Sequence, residues 1–389
     1  YSVAVSGTTA TVTLTKSAAT SVYDTMVEAL QYKNTHQDPS TGNSRVVTLT
    51  EIVDSGSNAG SNDNVSALSI ASTVTLAATN DAPTATAGTT LAYSENGTAA
   101  VVDNTIALSD ADDSQMAGAS VTISSGFTSG DILTFTDTAN ITGSYNSGSG
   151  VLTLSGSDTT ANYQAALRSI TYASSSEDPT TTATSRTISW TVTDGNSDGA
   201  GAETSTAVTS TINLTAVNDA PVTTAGATLA YSENGTAAVI DNTIALSDID
   251  DSQMAGASVT ISSGFTSGDT LGFTTIGAIS GSYNSSTGVL TLSGTDTIAN
   301  YQAALRSITY ASSSEDPTAT AASRTISWSV TDANSDGAGA QSSSAVTSTI
   351  NLTATNDTPT ATAGATLAYS ENGTAAVVDN TIALSDADD

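Results

Sequence analysis

Three features of the sequence predict an all-β chain of tandem β-sandwich repeats with one short helix per repeat. The motif Asn-Asp-Xaa-Pro stands at 80–83, 218–221 and 356–359, each copy 138 residues after the last. An internal period of that length implies repeated structural units before any single residue is weighed. Between the marks, short runs of Val, Ile, Leu and Thr alternate with the period of two of half-buried strands. Clusters of Gly, Asn, Asp and Ser interrupt these runs at short intervals, as in a sandwich.

The acid content narrows the function. The chain carries 38 Asp and Glu against 7 Lys and Arg, a net charge of −31. Residues 81–218 alone hold 14 acids against Arg168 and Arg186. Nucleic acid is excluded as a partner, because phosphates need a basic surface, and anionic membrane surfaces are excluded for the same reason. Such imbalance is self-repelling unless cations offset it. Calcium, a hard cation taking six to eight oxygen ligands, fits best. There is no Cys, so neither disulfides nor thiolate sites contribute. The only lysines are Lys16 and Lys33, which rules out Lys–Asn isopeptide links in the two full repeats. No stretch is long and apolar enough for membrane insertion. No N-terminal signal is visible, but the chain begins inside a repeat, and we expect a window onto a longer protein.

In order along the chain, residues 1–79 read as the C-terminal part of a diverged repeat. Val12-Thr13-Leu14 matches Leu152-Thr153-Leu154, and Gln37-Asp38-Pro39 matches Glu177-Asp178-Pro179. Two complete units follow, 80–217 and 218–355, then the N-terminal part of another at 356–389. Within a unit, 91–97 is a first strand entering a turn. The run 105–108 leads into the acidic loop 109–113, and 119–124 and 132–135 are strands. The runs 141–145 and 151–154 flank a turn at 146–150 and form a hairpin. The pattern then changes: Tyr163, Ala166, Leu167 and Ile170 follow at helical spacing, with Asp158 as the expected N-cap. Ile188, Trp190 and Val192 share one face of a strand ending at Asp194, and the last strand, 208–217, feeds the next Asn-Asp-Xaa-Pro. There the Pro forbids a ladder bond and keeps the preceding residue extended.

Comparing the two full copies sorts the acids. Asp137 becomes Thr275 and Glu203 becomes Gln341, which removes both as ligands. Asp103 and Asp131 recur but are isolated, and are expected to be solvated surface acids. The candidate metal ligands are the clustered oxygens at predicted strand ends. At the first junction and in the first full unit they are Asn80, Asp81, Glu95, Asp110, Asp112, Asp113, Glu177, Asp178 and Asp194. In the next they are Asn218, Asp219, Glu233, Asp248, Asp250, Asp251, Glu315, Asp316 and Asp332. In the last they are Asn356, Asp357, Glu371, Asp386 and Asp388. Asp198 also recurs as an acid.

These residues carry a resemblance. Tyr93-Ser94-Glu95-Asn96-Gly97 resembles the Pro-Glu-Asn segment that opens a cadherin repeat. Asp110-Ala111-Asp112 resembles the Asp-X-Asp motif, Asp194-Gly195 the Asp-Gly that follows a later strand, and Asn218-Asp219-Ala220-Pro221 the interdomain linker. The unit as a whole resembles the cadherin-like repeats of very large bacterial surface and secreted proteins, including adhesins exported by type I secretion. The resemblance implies a cadherin/immunoglobulin-like sandwich and calcium held between neighbouring repeats. It is incomplete: position 216 is Ala where the linker pattern starts with Asp, the second linker Asn is Ala220, the Asp-Arg-Glu motif is missing, and the repeat is longer. The number of ions per junction therefore does not carry over.

The expected function is structural: a calcium-stiffened stalk or fibre segment of an extracellular adhesin-type protein, extending a tip or assembling with other copies of itself into a filament. A junction site would take Glu95 with Glu177 or Asp178 from one repeat, Asn218 and Asp219 from the linker, and Asp248 and Asp250 from the next. The alternative is a module that binds glycan or cells through its outer faces, which would need an exposed apolar patch. An enzyme is disfavoured. The sole His, His36, lies outside both full repeats, and acids repeated in tandem read as architecture rather than as a glycosidase pair. Trp190, Trp328, Tyr163 and Tyr301 are expected in the core. Asn96, Asn213 and Asn234 stand in glycosylation sequons, a pattern common by chance in a Thr-rich chain.

Overall fold

The structure, a computed structural model, describes residues 1–39, 44–56, 64–196, 201–334, 337 and 339–388. Asp198 and its counterpart Asp336 lie outside the described residues.

In residues 80–217 the largest sheet has six strands. Their spatial order is Thr142–Asn146, Val151–Thr159, Gln115–Ser125, Ser185–Asp194, Val208–Thr215 and Thr90–Ser94. Neighbours are antiparallel except the last pair, where Thr90–Ser94 runs parallel to Val208–Thr215. A three-stranded sheet, Asp131–Thr134, Thr171–Ser174 and Ala100–Val101, faces it. Thr84–Thr86 pairs with Ala107–Ser109 at the linker end. The same set recurs 138 residues later, with Gln253–Ser263 and Ser323–Asp332 at the centre of its large sheet. The fold is all-β, with sandwich-type sheets.

The core lies between the sheets. Val121 and Ile123, with Ile188, Trp190 and Val192, meet Leu133 and Tyr172 from the opposite side. Trp190 is fully buried, its Nε1 donating to Ser210 Oγ at 3.0 Å, and Trp328 repeats this with Ser348. The helix Thr160–Arg168 closes one end by inserting Tyr163, Ala166 and Leu167. It is tied to the chain before Ala107–Ser109 by Arg168 Nε, which donates to the Ile106 carbonyl at 2.7 Å.

The helix corrects one expectation. The cap is Thr159, not Asp158: its backbone is extended and its Oγ1 accepts from Asn162 N at 3.2 Å. Asp158 instead accepts from Asn162 Nδ2 and Thr159 N. These bonds, the Asn162 one foremost, lower its pKa. Thr297 caps Ile298–Arg306 in the same way. Thr159→Ala is expected to cost about 1 kcal/mol in urea denaturation.

A second correction concerns the isolated acids. Asp103 and Asp131 are each only 1% exposed. Burial opposes the charge of Asp103, but donors from Ser210, Gly88, Thr89 and Thr105 surround it and hold its carboxyl well below the usual range. Asp131 forms a fully buried ion pair with Arg186, Nε to Oδ2 at 2.6 Å. Both residues are in phase with apolar neighbours: Asp131 with Leu133, and Arg186 with Ile188, Trp190 and Val192. The period of two that buries those neighbours buries the charges too.

Residues 1–79 carry the hairpin Ser2–Ser6/Thr9–Thr13, the helix Thr20–Glu28, and the pair Arg45–Val53/Val65–Val74. That is the order of elements found from 142 to 215, except that no counterpart of the strand Thr171–Ser174 stands among the described residues. Thr360–Thr362 pairs with Ala383–Ser385 as Thr84–Thr86 does with Ala107–Ser109.

Candidate metal centre

The Asn-Asp-Xaa-Pro linkers at 218–221 and 356–359 gather oxygen atoms from both sides. Around 218–221, the repeat-side members are Glu95 and Glu177. Glu95 sits where Thr90–Ser94 ends in a turn, with Asn96 at φ 56°, a conformation Asn tolerates. Glu95 is only 4% exposed, and its Oε2 accepts from Val217 N at 2.9 Å. Glu177 lies in the loop between Thr171–Ser174 and Ser185–Asp194, and Asn96 Nδ2 reaches its Oε2 at 3.4 Å. One carboxylate oxygen each of Glu95, Glu177 and Asp219 lie within 4.8 Å of one another. Burial pushes Glu95 up to about 7 against the Val217 bond, with Asp219, Glu177 and Asp250 adding repulsion. Asp219 is raised by burial and by Asp250 and Glu177.

The second cluster sits on the far side of the linker. Asp248, Asp251 and Asp332 bring oxygens within 4.8 Å. Asp248 Oδ1 accepts from the N–H groups of Asp250 and Asp251, at 3.2 and 3.0 Å, which fixes the loop as an Asx turn. Asp250 Oδ2 accepts from Asp219 N at 2.8 Å and so pins the linker to this loop. Asn218, fully buried, donates from Nδ2 to Asp332 Oδ2 at 2.8 Å. Burial and the hydrogen bond with Asp250 raise the Asp248 pKa.

The linker at 80–83 has a related far-side cluster, with Asp110, Asp112 and Asp113 grouped where the next unit groups the counterparts of Asp110, Asp113 and Asp194. Asp81 N donates to Asp112 Oδ2, and Asn80 Nδ2 donates to Asp194 Oδ2. Burial raises Asp110, with Asp112 adding to it. The linker at 356–359 reproduces the first: Glu233, Glu315 and Asp357 group together. Asp357 N donates to Asp388 Oδ2, and Asp388 N donates to Asp386 Oδ1. Asn356 is exposed, and its Nδ2 donates to Asp357 O.

Several candidates lie apart. Asp178 and Asp316 are turn formers, accepting from Thr180 and Thr318 at N and Oγ1. Of the two acids offered for the junction, Glu177 converges and Asp178 braces its loop. Glu371 is exposed and belongs to none of the clusters among the described residues. Sequence reasoning missed Gln37. It stands where Glu177 stands in the next unit, and its Nε2 donates to Asp81 Oδ2 at 3.1 Å. The alignment of 37–39 with 177–179 carried that signal.

The oxygens fit a hard cation. Asn80 Oδ1, Glu95 Oε1, Asp110 Oδ2, Asn218 Oδ1, Asp219 Oδ2, Asp248 Oδ2 and Asp388 Oδ1 are buried without a hydrogen-bond partner. Orphaned buried acceptors are costly, and these seven belong to the linkers, to their clusters or, with Asp388, to an acid bonded to a linker N–H. The other such oxygens among the described residues, those of Thr160 and Thr223, are hydroxyls outside the clusters. The four arginines of residues 80–355 are engaged elsewhere: Arg186 and Arg324 serve Asp131 and Asp269, and Arg168 and Arg306 bond the Ile106 and Ile244 carbonyls. Six to eight oxygens from carboxylates and amide carbonyls are what calcium takes.

No protein-family model matches the chain. Among curated proteins, Halomucin from Haloquadratum walsbyi is 35% identical over 128 residues, which are 31% of this chain and 1% of Halomucin's length. Among solved structures, mouse cadherin-23 EC22–24 is similar at a TM-score of 0.35 and 12% identity, over 80% of this chain and 79% of that one. Protocadherin gamma B2 extracellular cadherin domains 1–5 is similar at 0.29 and 14%, over 89% and 52%. No helix among the described residues is long and apolar enough to cross a membrane.

Proposed function

We propose that this chain is a segment of a calcium-stiffened extracellular stalk or fibre with no catalytic role. Its complete units are 80–217 and 218–355, between partial units at 1–79 and 356–389. The observation that carries the reading is the convergence of Glu95, Glu177 and Asp219 at a linker where the N–H of that same Asp219 is held by Asp250 of the next unit. The candidate ligands are Glu95, Glu177, Asn218, Asp219, Asp248, Asp250, Asp251 and Asp332, with their counterparts at 80–83 and 356–359. Bound calcium supplies the positive charge these oxygens lack. Glu95 and Glu177 belong to one unit and Asp248 and Asp250 to the next, so all can serve together only in one relative orientation. The linker thereby becomes a fixed joint, and binding energy becomes folding energy. The partners are calcium ions, the neighbouring repeats and, in a fibre, other copies of the chain.

Small-angle scattering of the 389-residue chain tests this. In calcium the particle is expected to be longer and stiffer than in excess chelator, and Asp219→Ala is expected to remove much of that difference. A shape indifferent to calcium would make the acids mere solvating groups.

A further inference from the structure

Glu95 and Glu177 are 82 residues apart in sequence, and one buried polar network holds both. From the Glu95 side, Tyr93 lies two residues upstream. Its hydroxyl donates to Gly97 O at 2.7 Å and accepts from Ser174 N at 3.2 Å, so it ties the turn to the strand that enters the Glu177 loop. Its ring meets Tyr172 edge-on, with centroids 5.0 Å apart. Tyr172 donates to Asp131 Oδ1 at 2.6 Å. Asp131 Oδ2 accepts from Arg186 Nε. Beyond the ion pair, Arg186 Nη2 donates to Pro179 O at 2.7 Å and Nη1 to Ala183 O at 2.9 Å. One guanidinium therefore holds the loop at two points after Glu177, Pro179 and Ala183. Ser175 N adds a bond to Gly130 O at 3.0 Å, and a side chain at Gly130, φ 101°, would press on Ser175 and Ser176.

Every link recurs in the next unit. Tyr231, Tyr310, Asp269 and Arg324 stand in the same relation, and Arg324 donates to Pro317 O at 2.7 Å and Ala321 O at 2.8 Å. Stability alone does not require this arrangement. A buried ion pair is often no better than an apolar replacement, and an Arg paired only for fold would not need to reach two loop carbonyls. Here three separate nitrogens of one rigid fork reach three acceptors, Asp131, Pro179 and Ala183. Lys also has three donors, but all on one nitrogen, which cannot span them.

We infer that Arg186, braced by Asp131 and Tyr172, is the positioning residue that sets Glu177 against Glu95 and so tunes calcium affinity at the 218–221 joint; Arg324 does the same at 356–359. This rests on the calcium reading above. The test is calcium titration by calorimetry on the full chain carrying Arg186→Lys, well below its melting temperature. The Glu233, Glu315 and Asp357 cluster serves as internal control. Affinity at the Asp219 joint is expected to fall about tenfold, the range for groups that orient metal ligands, with the control cluster unchanged. In chelator, hydrogen exchange of residues 175–184 is expected to quicken. Should Arg186→Lys fail to fold, Tyr172→Phe keeps the ion pair and is expected to weaken the same joint severalfold. A folded variant with unchanged calcium affinity overturns the inference, provided Glu177→Gln weakens binding. If the wild-type chain binds no calcium, the functional reading itself fails. The exchange measurement in chelator then still decides whether Arg186 holds the loop.

Discussion

Asp131→Ala is expected to cost the unit 80–217 about 3–5 kcal/mol, enough to consume much of a typical domain's stability. Arg186 is 0% exposed and cannot follow its charge to water. Once Asp131 is gone, its Nε loses the acceptor at 2.6 Å, Tyr172 OH loses another at 2.6 Å, and Thr128 N loses a third at 2.8 Å. The cost is that of an uncompensated buried charge, not the net worth of the pair. Replacing both partners, Asp131→Leu with Arg186→Met, removes the buried charge and is therefore expected to recover part of the stability, while Tyr172 OH and Thr128 N stay without their acceptor and the Glu177 loop without its clamp. Urea denaturation of the single and double variants checks both statements. A single variant within about 1 kcal/mol of wild type would mean that water reaches Arg186.

Calcium is expected to produce the other large effect and to reverse the pH dependence of melting. At a concentration one hundred times Kd, each site adds about 2.7 kcal/mol, which for units of this size raises Tm by on the order of 10 °C. In chelator the sign of the acid titration follows from the raised carboxyls. Glu95, pushed up to about 7 by burial and its acidic neighbours, favours the folded state fully below its unfolded pKa, and that contribution is lost as pH rises through 7. Asp219 and Asp248 act in the same direction. Asp103 acts oppositely: its lowered pKa gives stability above the unfolded value near 4, lost on further acidification. Calcium-free protein should therefore melt highest near pH 5 and lower at pH 8. With calcium the order inverts, because protons compete with the ion for the same oxygens. Scanning calorimetry at the two pH values, with calcium and with chelator, reads this directly; identical pH profiles would remove the clusters from the account.

Much of the architecture was legible in the residues. The 138-residue period, the alternating runs and the break to helical spacing at Tyr163 each rest on local rules, in which a few neighbours in sequence decide which side chain faces inward. Trp190 falls in the core for that reason. The same rule, carried one step further, would have placed Arg186 and Asp131 inside: each is in phase with buried neighbours, and only the habit of assigning charges to the surface hid them. The helix cap moved from Asp158 to Thr159 because side-chain geometry, not residue type, selects the acceptor for Asn162 N.

What the sequence determined by itself is the kind of unit, its repetition and the presence of oxygen-bearing side chains at every linker. What only the tertiary structure decided is which oxygens meet. Glu177 rather than Asp178 turns to Glu95 because Thr180 captures Asp178, and Asp131 finds Arg186 across 55 residues because the two sheets close over them. Local preference assigns a side chain to a face; the partner on the opposite face is set by packing of segments distant in sequence. No spacing rule within one strand encodes that pairing.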